Sequence, residues 1–245
     1  MPNFKLTLSY EGTRYKGWQR QGNTAGTIQG KLEDILSRML GQSVELAASG
    51  RTDAGVHARI QVCSFRAETD RSPRELLEEL RRFLPEDIGA VALEYAPPRF
   101  HARLSCRGKT YLYRVWNSES PNVFTRRFQY RLPEALDMDA MGRAAELLCG
   151  EHDFAAFCSV KNSKKSTCRR LRSIRLEREG DELLFYFSGD GFLYNMVRIL
   201  TGTLLEVGMG RRAPEEMLGL LLSGDRSRAG FTAPACGLTL WDLEY

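Results

Sequence analysis

The residues best suited to chemistry lie between Ser49 and Ala58, where the chain reads Ser49-Gly50-Arg51-Thr52-Asp53-Ala54-Gly55-Val56-His57-Ala58. The run has no hydrophobic periodicity and carries two glycines, which let a backbone turn tightly and approach a ligand closely. A carboxylate on such a loop can act as nucleophile or general base. A guanidinium two residues earlier can grip a phosphate or hold a displaced nucleotide. The same string also suits an Asx-turn with Arg51 as a surface charge, because Asp and Gly are common turn formers.

Other segments point to a polyanionic partner. From Glu11 to Gly26 the chain mixes basic and aromatic residues, among them Tyr15, Lys16, Trp18 and Arg20. Aromatics can stack on bases while cations meet phosphates, although a tryptophan is as often a core residue. Between Lys161 and Arg178 stand Lys161, Lys164, Lys165, Arg169, Arg170, Arg172, Arg175 and Arg178 against a single acid, Glu177. Pairs Arg126-Arg127 and Arg211-Arg212 add to the pattern, which is an electrostatic footprint for phosphate backbones or, alternatively, a solvated loop face.

Composition narrows the classes. At 245 residues, 42% hydrophobic and 27% charged, the chain is globular and large enough for a sizeable core. Its net charge of +4 is modest, so the local clusters matter more than the total. No apolar run approaches the roughly 18 residues of a membrane span. The start Met1-Pro2-Asn3-Phe4-Lys5 lacks a secretory pattern, so a cytoplasmic protein is expected. Six scattered cysteines without a Cys-x-x-Cys pair are expected to be free, mostly buried thiols. With three histidines, His57, His101 and His152, each expected to be structural, no metal site is anticipated. A Rossmann fingerprint and a P-loop are missing too, so no cofactor is expected.

The positioning elements can be read from periodicity. Phe4, Leu6, Leu8 and Tyr10 alternate as in a half-buried strand. Ile28, Leu32, Ile35, Leu36 and Met39 recur at helical spacing, with Gly41 at the C-terminal cap. Ile60 to Phe65 predicts a short strand. Ser72-Pro73-Arg74-Glu75 forms a capping box ahead of a second helix, and Val91, Leu93 and Tyr95 mark another strand. Past Pro97-Pro98 the pattern repeats. Tyr111, Tyr113 and Val115 share one face of a strand. A helix is predicted from about Asp137 to Cys149, and a strand over Leu183-Leu184-Phe185-Tyr186-Phe187. Gly189-Asp190-Gly191 opens a helix over Phe192 to Glu206, Pro214 to Ser223 forms another closed by Gly224, and Leu238 to Glu244 a last strand. The reading is α+β, in two domains: residues 1–105, carrying the Asp53 loop, and 106–245, carrying the basic segment.

Several blocks together resemble the TruA family of tRNA pseudouridine synthases. They are Tyr15-Lys16-Gly17-Trp18-Gln19-Arg20-Gln21, Gly50-Arg51-Thr52-Asp53-Ala54-Gly55-Val56-His57, Phe100-His101-Ala102-Arg103, Tyr111-Leu112-Tyr113-Arg114, His152-Asp153-Phe154-Ala155-Ala156-Phe157 and Phe192-Leu193-Tyr194-Asn195-Met196-Val197-Arg198. Their order and spacing span nearly the whole chain. Cys158 to Arg170 matches the family pattern less well.

The resemblance implies two ferredoxin-like halves whose antiparallel sheets flank a central basic cleft. It implies a homodimer acting on the anticodon stem-loop of tRNA, at tRNA positions 38, 39 and 40. Asp53 would be the catalytic aspartate and Arg198 its partner. Tyr111 would pack on the target base, and Arg51 would fill the space the extruded nucleotide leaves. Lys16, Trp18 and Arg20 would contact RNA. Isomerising uridine breaks the N1–C1′ bond, turns the uracil and joins C5 to C1′, with no redox change. A carboxylate can serve by attacking covalently or by removing a ribose proton. A catalytically silent RNA-binding module shares the basic and aromatic residues, but has no need of a carboxylate facing phosphates. An Asp-nucleophile phosphotransferase is disfavoured, because Asp53 lacks a following Asp-x-Thr and a second acidic cluster for Mg²⁺.

Overall fold

The computed structural model describes residues 1–22, 24–159 and 166–245. Lys161, Lys164 and Lys165 of the basic segment lie outside the described residues. The chain divides into two compact units, residues 1–107 with 240–245, and residues 108–239. Both are mixed α and β, and β1 to β9 pair antiparallel within each unit except for β5 with β6.

In the first unit, β1 (Asn3–Tyr10), β2 (Ala47–Ala48), β3 (His57–Arg66) and β4 (Ile88–Tyr95) accompany α1 (Ile28–Leu40) and α2 (Pro73–Phe83). β1 lies between β4 and β3, antiparallel to both, and β2 pairs with β3. The alternation in β1 buries Phe4, Leu6 and Leu8 completely, and Phe4 stacks on Phe65 at 5.1 Å. α1 turns Ile28, Leu32, Ile35, Leu36 and Met39 inward and ends at Gly41, whose φ of 63° is a left-handed cap. α2 begins with the capping box expected of Ser72 and Glu75. In β4 the buried positions are Ile88, Ala90 and Leu93, whereas Val91 and Tyr95 are exposed. A register shift between Thr7 and Leu8 in the pairing of β1 with β4 breaks the simple alternation.

β3 is longer than its apolar residues predict. It starts at His57 instead of Ile60, so the loop carrying Asp53 runs straight into a ten-residue strand. The pairing shifts near the start of the strand: Leu8 faces Gln61 and Tyr10 faces Ala58, so β3 carries an extra residue there. Such a bulge bends a strand and re-aims the side chains beside it.

The second unit contains β5 (Gly108–Trp116), β6 (Tyr130–Arg131), β7 (Gly150–Asp153), β8 (Cys168–Glu179) and β9 (Glu182–Gly189), with α3 (Met138–Leu148), α4 (Met196–Gly208) and α5 (Glu216–Ser223). Its strand order is β5-β9-β8-β7, with β6 parallel to β5. β9 is central, which explains why Leu183, Leu184, Phe185 and Phe187 are all buried. Two departures matter. The basic stretch from Cys168 onward is a twelve-residue strand, not a loop. α4 starts at Met196, because Leu193 to Met196 form a turn, closed by the Met196 N–H on the Leu193 carbonyl at 3.1 Å, in which Asn195 takes φ 60°. Finally β10 (Leu238–Glu244) matches its expected bounds and, from Leu240 on, belongs to the first unit.

All six cysteines are free, but only Cys63 and Cys158 are buried, while Cys168 is exposed. Among the described residues no helix is long and apolar enough to cross a membrane.

Candidate active site

In the first unit the Asp53 loop is built against the stretch that succeeds β1. Trp18 N–H donates to the Thr52 carbonyl at 3.0 Å, and Gly55 N–H donates to the Tyr15 carbonyl at 3.3 Å. Gly12 N–H donates to His57 Nδ1 at 3.0 Å. The two backbones touch so closely that a Cβ at Gly12 would fall 2.0 Å from the Val56 carbonyl oxygen. Gly17 has φ 94°, and a Cβ there would sit 3.0 Å from the Thr52 carbonyl oxygen. Both positions therefore require glycine.

Inside this clamp the side chains sort themselves. Thr52 points inward, 5% exposed, with its hydroxyl 2.8 Å from the Tyr10 hydroxyl. Its neighbours are more open to solvent: Arg51 is exposed and Asp53 half-buried. Gln61, fully buried on β3, braces the loop from below. Its Nε2 donates to the Gly50 carbonyl at 2.9 Å, and its Oε1 accepts from Ser49 Oγ at 2.5 Å. Val56 N–H closes a turn onto the Asp53 carbonyl at 3.1 Å. The carboxylate thus stands on a backbone fixed from two sides.

Three residues expected to contact RNA occupy different places. Lys16 is exposed. Trp18 is 1% exposed, its ring 6.0 Å from that of Tyr10, so it holds the loop from beneath and has no face for a base. Arg20 ion-pairs with Glu33 at 3.2 Å and Asp34 at 3.4 Å. Glu33 is 5% exposed and also accepts from Gln29 and from Leu46 N–H. A charge so buried needs its partner, so Arg20 is tied to the fold. His57 accepts at Nδ1 and acts as a strut. His101 does the same for Arg103 and Leu104 N–H groups at 3.1 and 3.3 Å.

The second unit carries Tyr111 and Arg198. Tyr111, on β5 opposite Phe187, is 7% exposed and meets Phe192 edge-on at 5.1 Å. Two residues on, Tyr113 is fully buried and donates its hydroxyl to the Pro234 carbonyl at 2.8 Å. Arg198, half-buried on the first turn of α4, donates from Nε to the Ala233 carbonyl at 2.7 Å and from Nη1 to Asn195 Oδ1 at 2.9 Å. Both acceptors are neutral, so they fix the guanidinium without cancelling its charge. That field reaches its neighbours: burial pushes the Tyr113 phenol well above its ordinary value, and Arg198 opposes the rise.

The basic strand β8 is partly engaged in structure. Arg175 lies 4.3 Å over the Tyr186 ring and pairs with Glu177, and Arg178 donates to Asn117 at 3.0 Å. Arg170 and Arg172 line an open pocket of about 510 Å³ with Gly150, Leu171 and Asp190. No group of three or more His, Cys, Asp or Glu side chains among the described residues is placed to hold a metal.

Sequence reasoning passes over Thr52, Gln61, Gly12 and Asn195. A signal exists for Gln61, a lone amide among Ile60, Val62 and Phe65 on a strand with buried neighbours. One exists for Asn195 as well, since asparagine tolerates the left-handed region that a tight entry to a helix requires.

Comparison with known proteins agrees with the motif blocks. The family model described as tRNA pseudouridine synthase matches residues 7–105 and 144–245. A tRNA pseudouridine synthase A of Bacillus sp. (strain KSM-64) is 45% identical over 245 residues, all of both chains. The protein of that name from Pelobacter propionicus is 44% identical over the same length, again all of both chains. A tRNA pseudouridine synthase A 2 of Bacillus anthracis is 41% identical, with all of both chains covered. Among solved structures, a Cbf5-Nop10-Gar1 complex aligns at a TM-score of 0.37 and 13% identity, covering 83% of this chain and 45% of that one. With matches of this extent along its full length, the chain belongs to the tRNA pseudouridine synthase family.

Proposed function

We propose that this chain isomerises uridine to pseudouridine in the anticodon stem-loop of tRNA, at positions 38, 39 and 40, with Asp53 as the catalytic carboxylate. Family membership supports the reaction class. The observation that carries the assignment of Asp53 is the clamped loop, which buries Thr52 and leaves the adjacent carboxylate half-open to solvent. A reacting group gains most when its geometry is set before the substrate arrives.

The base must leave the helical stack to be reached, which costs a few kcal/mol. Arg51, exposed beside Asp53, occupies the space the nucleotide vacates. Tyr111 packs on the extruded uracil and recovers part of that cost, aromatic stacking being worth ~1–3 kcal/mol per base. Asp53 then acts at the ribose, either by attack at C1′ or by removal of a proton. The N1–C1′ bond breaks, the uracil turns, C5 joins C1′, and the proton leaving C5 is balanced by one gained at N1. Arg198 serves as the cationic partner that the family resemblance gives to Asp53, a role that would favour the carboxylate form. Lys16, Arg170 and Arg172 meet RNA phosphates. The enzyme works in the cytoplasm as a homodimer, so light scattering should return twice the chain mass of 27.8 kDa. A mass of one chain at micromolar concentration contradicts the dimer.

Incubation with an unmodified tRNA transcript, then carbodiimide treatment and primer extension, tests the assignment. Stops are expected in the anticodon stem-loop. Pseudouridine elsewhere in the tRNA contradicts the site preference. Tight RNA binding with no product at all favours a silent binding module.

A further inference from the structure

We propose that Asn195 is the positioning residue for Arg198: a left-handed asparagine whose amide spans from Ser159 to the guanidinium and sets its direction before substrate binds. The inference rests on the role proposed above for Arg198 as partner of the catalytic carboxylate.

Among the described residues Asn195 is the sole non-glycine with positive φ, at φ 60° and ψ 6°. Asparagine tolerates that region better than most residues, yet its presence there still marks a site worth an explanation. The usual explanation does not apply. Asn195 stands at the N-cap of α4, where an asparagine ordinarily accepts a backbone N–H from the first turn, but its side chain makes no capping hydrogen bond.

The amide is used in another way. Oδ1 accepts from Arg198 Nη1 at 2.9 Å, and Nδ2 donates to Ser159 Oγ at 3.0 Å. Ser159 N–H in turn donates to the Tyr194 carbonyl at 3.2 Å, so the anchor is held at both ends. With Nε bound to the Ala233 carbonyl at 2.7 Å, the planar guanidinium is fixed at two of its three nitrogens. A helix entry of ordinary geometry, with a conventional cap, would direct the amide to the backbone and away from residue 198. The left-handed turn and the missing cap therefore have one shared consequence, a side chain free to steer Arg198.

Three variants separate steering from simple structure. Asn195→Gly keeps the left-handed backbone and removes the amide. Asn195→Asp keeps the Oδ1 acceptor in a residue that also tolerates this conformation. Arg198→Lys checks the premise. Single-turnover rate, tRNA affinity and melting temperature are measured on each full-length protein. Loss of a fixed catalytic geometry costs rate more than binding, so Asn195→Gly should slow the single-turnover rate about tenfold with affinity within about twofold. Its melting temperature should stay near the parent's, and Asn195→Asp should recover most of the rate. A glycine variant at the parental rate overturns the proposal, as does an aspartate variant that falls as far as the glycine one. If Arg198→Lys itself turns over at the parental rate, the role of Arg198 falls first and takes this proposal with it.

Discussion

Asp53 owes its position to the residue before it. Thr52 is the inward-facing member of the loop, and its hydroxyl contact with Tyr10 at 2.8 Å lies in a site closed to water. Thr52→Val keeps the volume and removes this hydrogen bond, while Gln61 Nε2 still lies 3.5 Å from the Tyr10 hydroxyl. One intramolecular hydrogen bond contributes about 0.5–1.5 kcal/mol, so urea denaturation should register a loss of that size, with slower turnover. An unchanged midpoint and rate would show that the loop does not depend on this contact. At this scale the sequence is legible in the identity of the chemical groups and illegible in their burial. Asp53 and Arg51 stand out by type and spacing. Trp18 and Arg20 have the right types for RNA contact too, but one lies under the loop and the other neutralises Glu33, which only packing reveals.

The elements that carry these residues can be placed from periodicity where a segment has one buried face. α1, α2 and β10 lie where spacing and caps put them. The departures have a common cause, which is that local polarity does not report distant partners. β3 begins at His57 and β8 occupies the basic stretch because partner strands supply the hydrogen bonds. β8 pairs along β9 and can therefore be rich in arginine on its open side. α4 starts later than the upstream glycines suggest, because Asn195 supplies the left-handed turn. The close approach of residues 12–18 to the Asp53 loop is not legible, since Gly12 and Gly17 look like ordinary turn glycines. It yields a sharp expectation. In Gly12→Ala the new Cβ would lie 2.0 Å from the Val56 carbonyl oxygen, so one backbone has to move. Overpacking of this kind costs about 1–3 kcal/mol, and here the displaced segment carries Asp53. Both melting temperature and turnover should drop. A variant with parental activity would mean that the loop is not set by this contact.

For the molecule as a whole, partner class is more legible than net charge suggests. A total of +4 announces little, but Arg170 and Arg172 share a pocket wall with Gly150 and Asp190, and motif blocks along the full length identify the family. Binding through phosphate contacts releases counterions, so affinity for tRNA should fall by at least about tenfold between roughly 50 and 200 mM NaCl. Arg170→Ala with Arg172→Ala should flatten that dependence. Filter binding across the salt series checks both, and a salt-independent affinity in the parent would contradict phosphate recognition by these residues.

In the proposed reaction the Asp53 carboxylate drives exchange of N1 for C5 at the ribose. That role is tested most directly by tritium release from tRNA labelled at C5 of uridine, with the parent and Asp53→Asn compared at equal RNA occupancy. Label is set free only when C5 becomes the glycosidic carbon. Release is expected from the parent and none above background from Asp53→Asn, which still binds the RNA. Release by the variant at a rate close to the parent's would remove Asp53 from the proposed role.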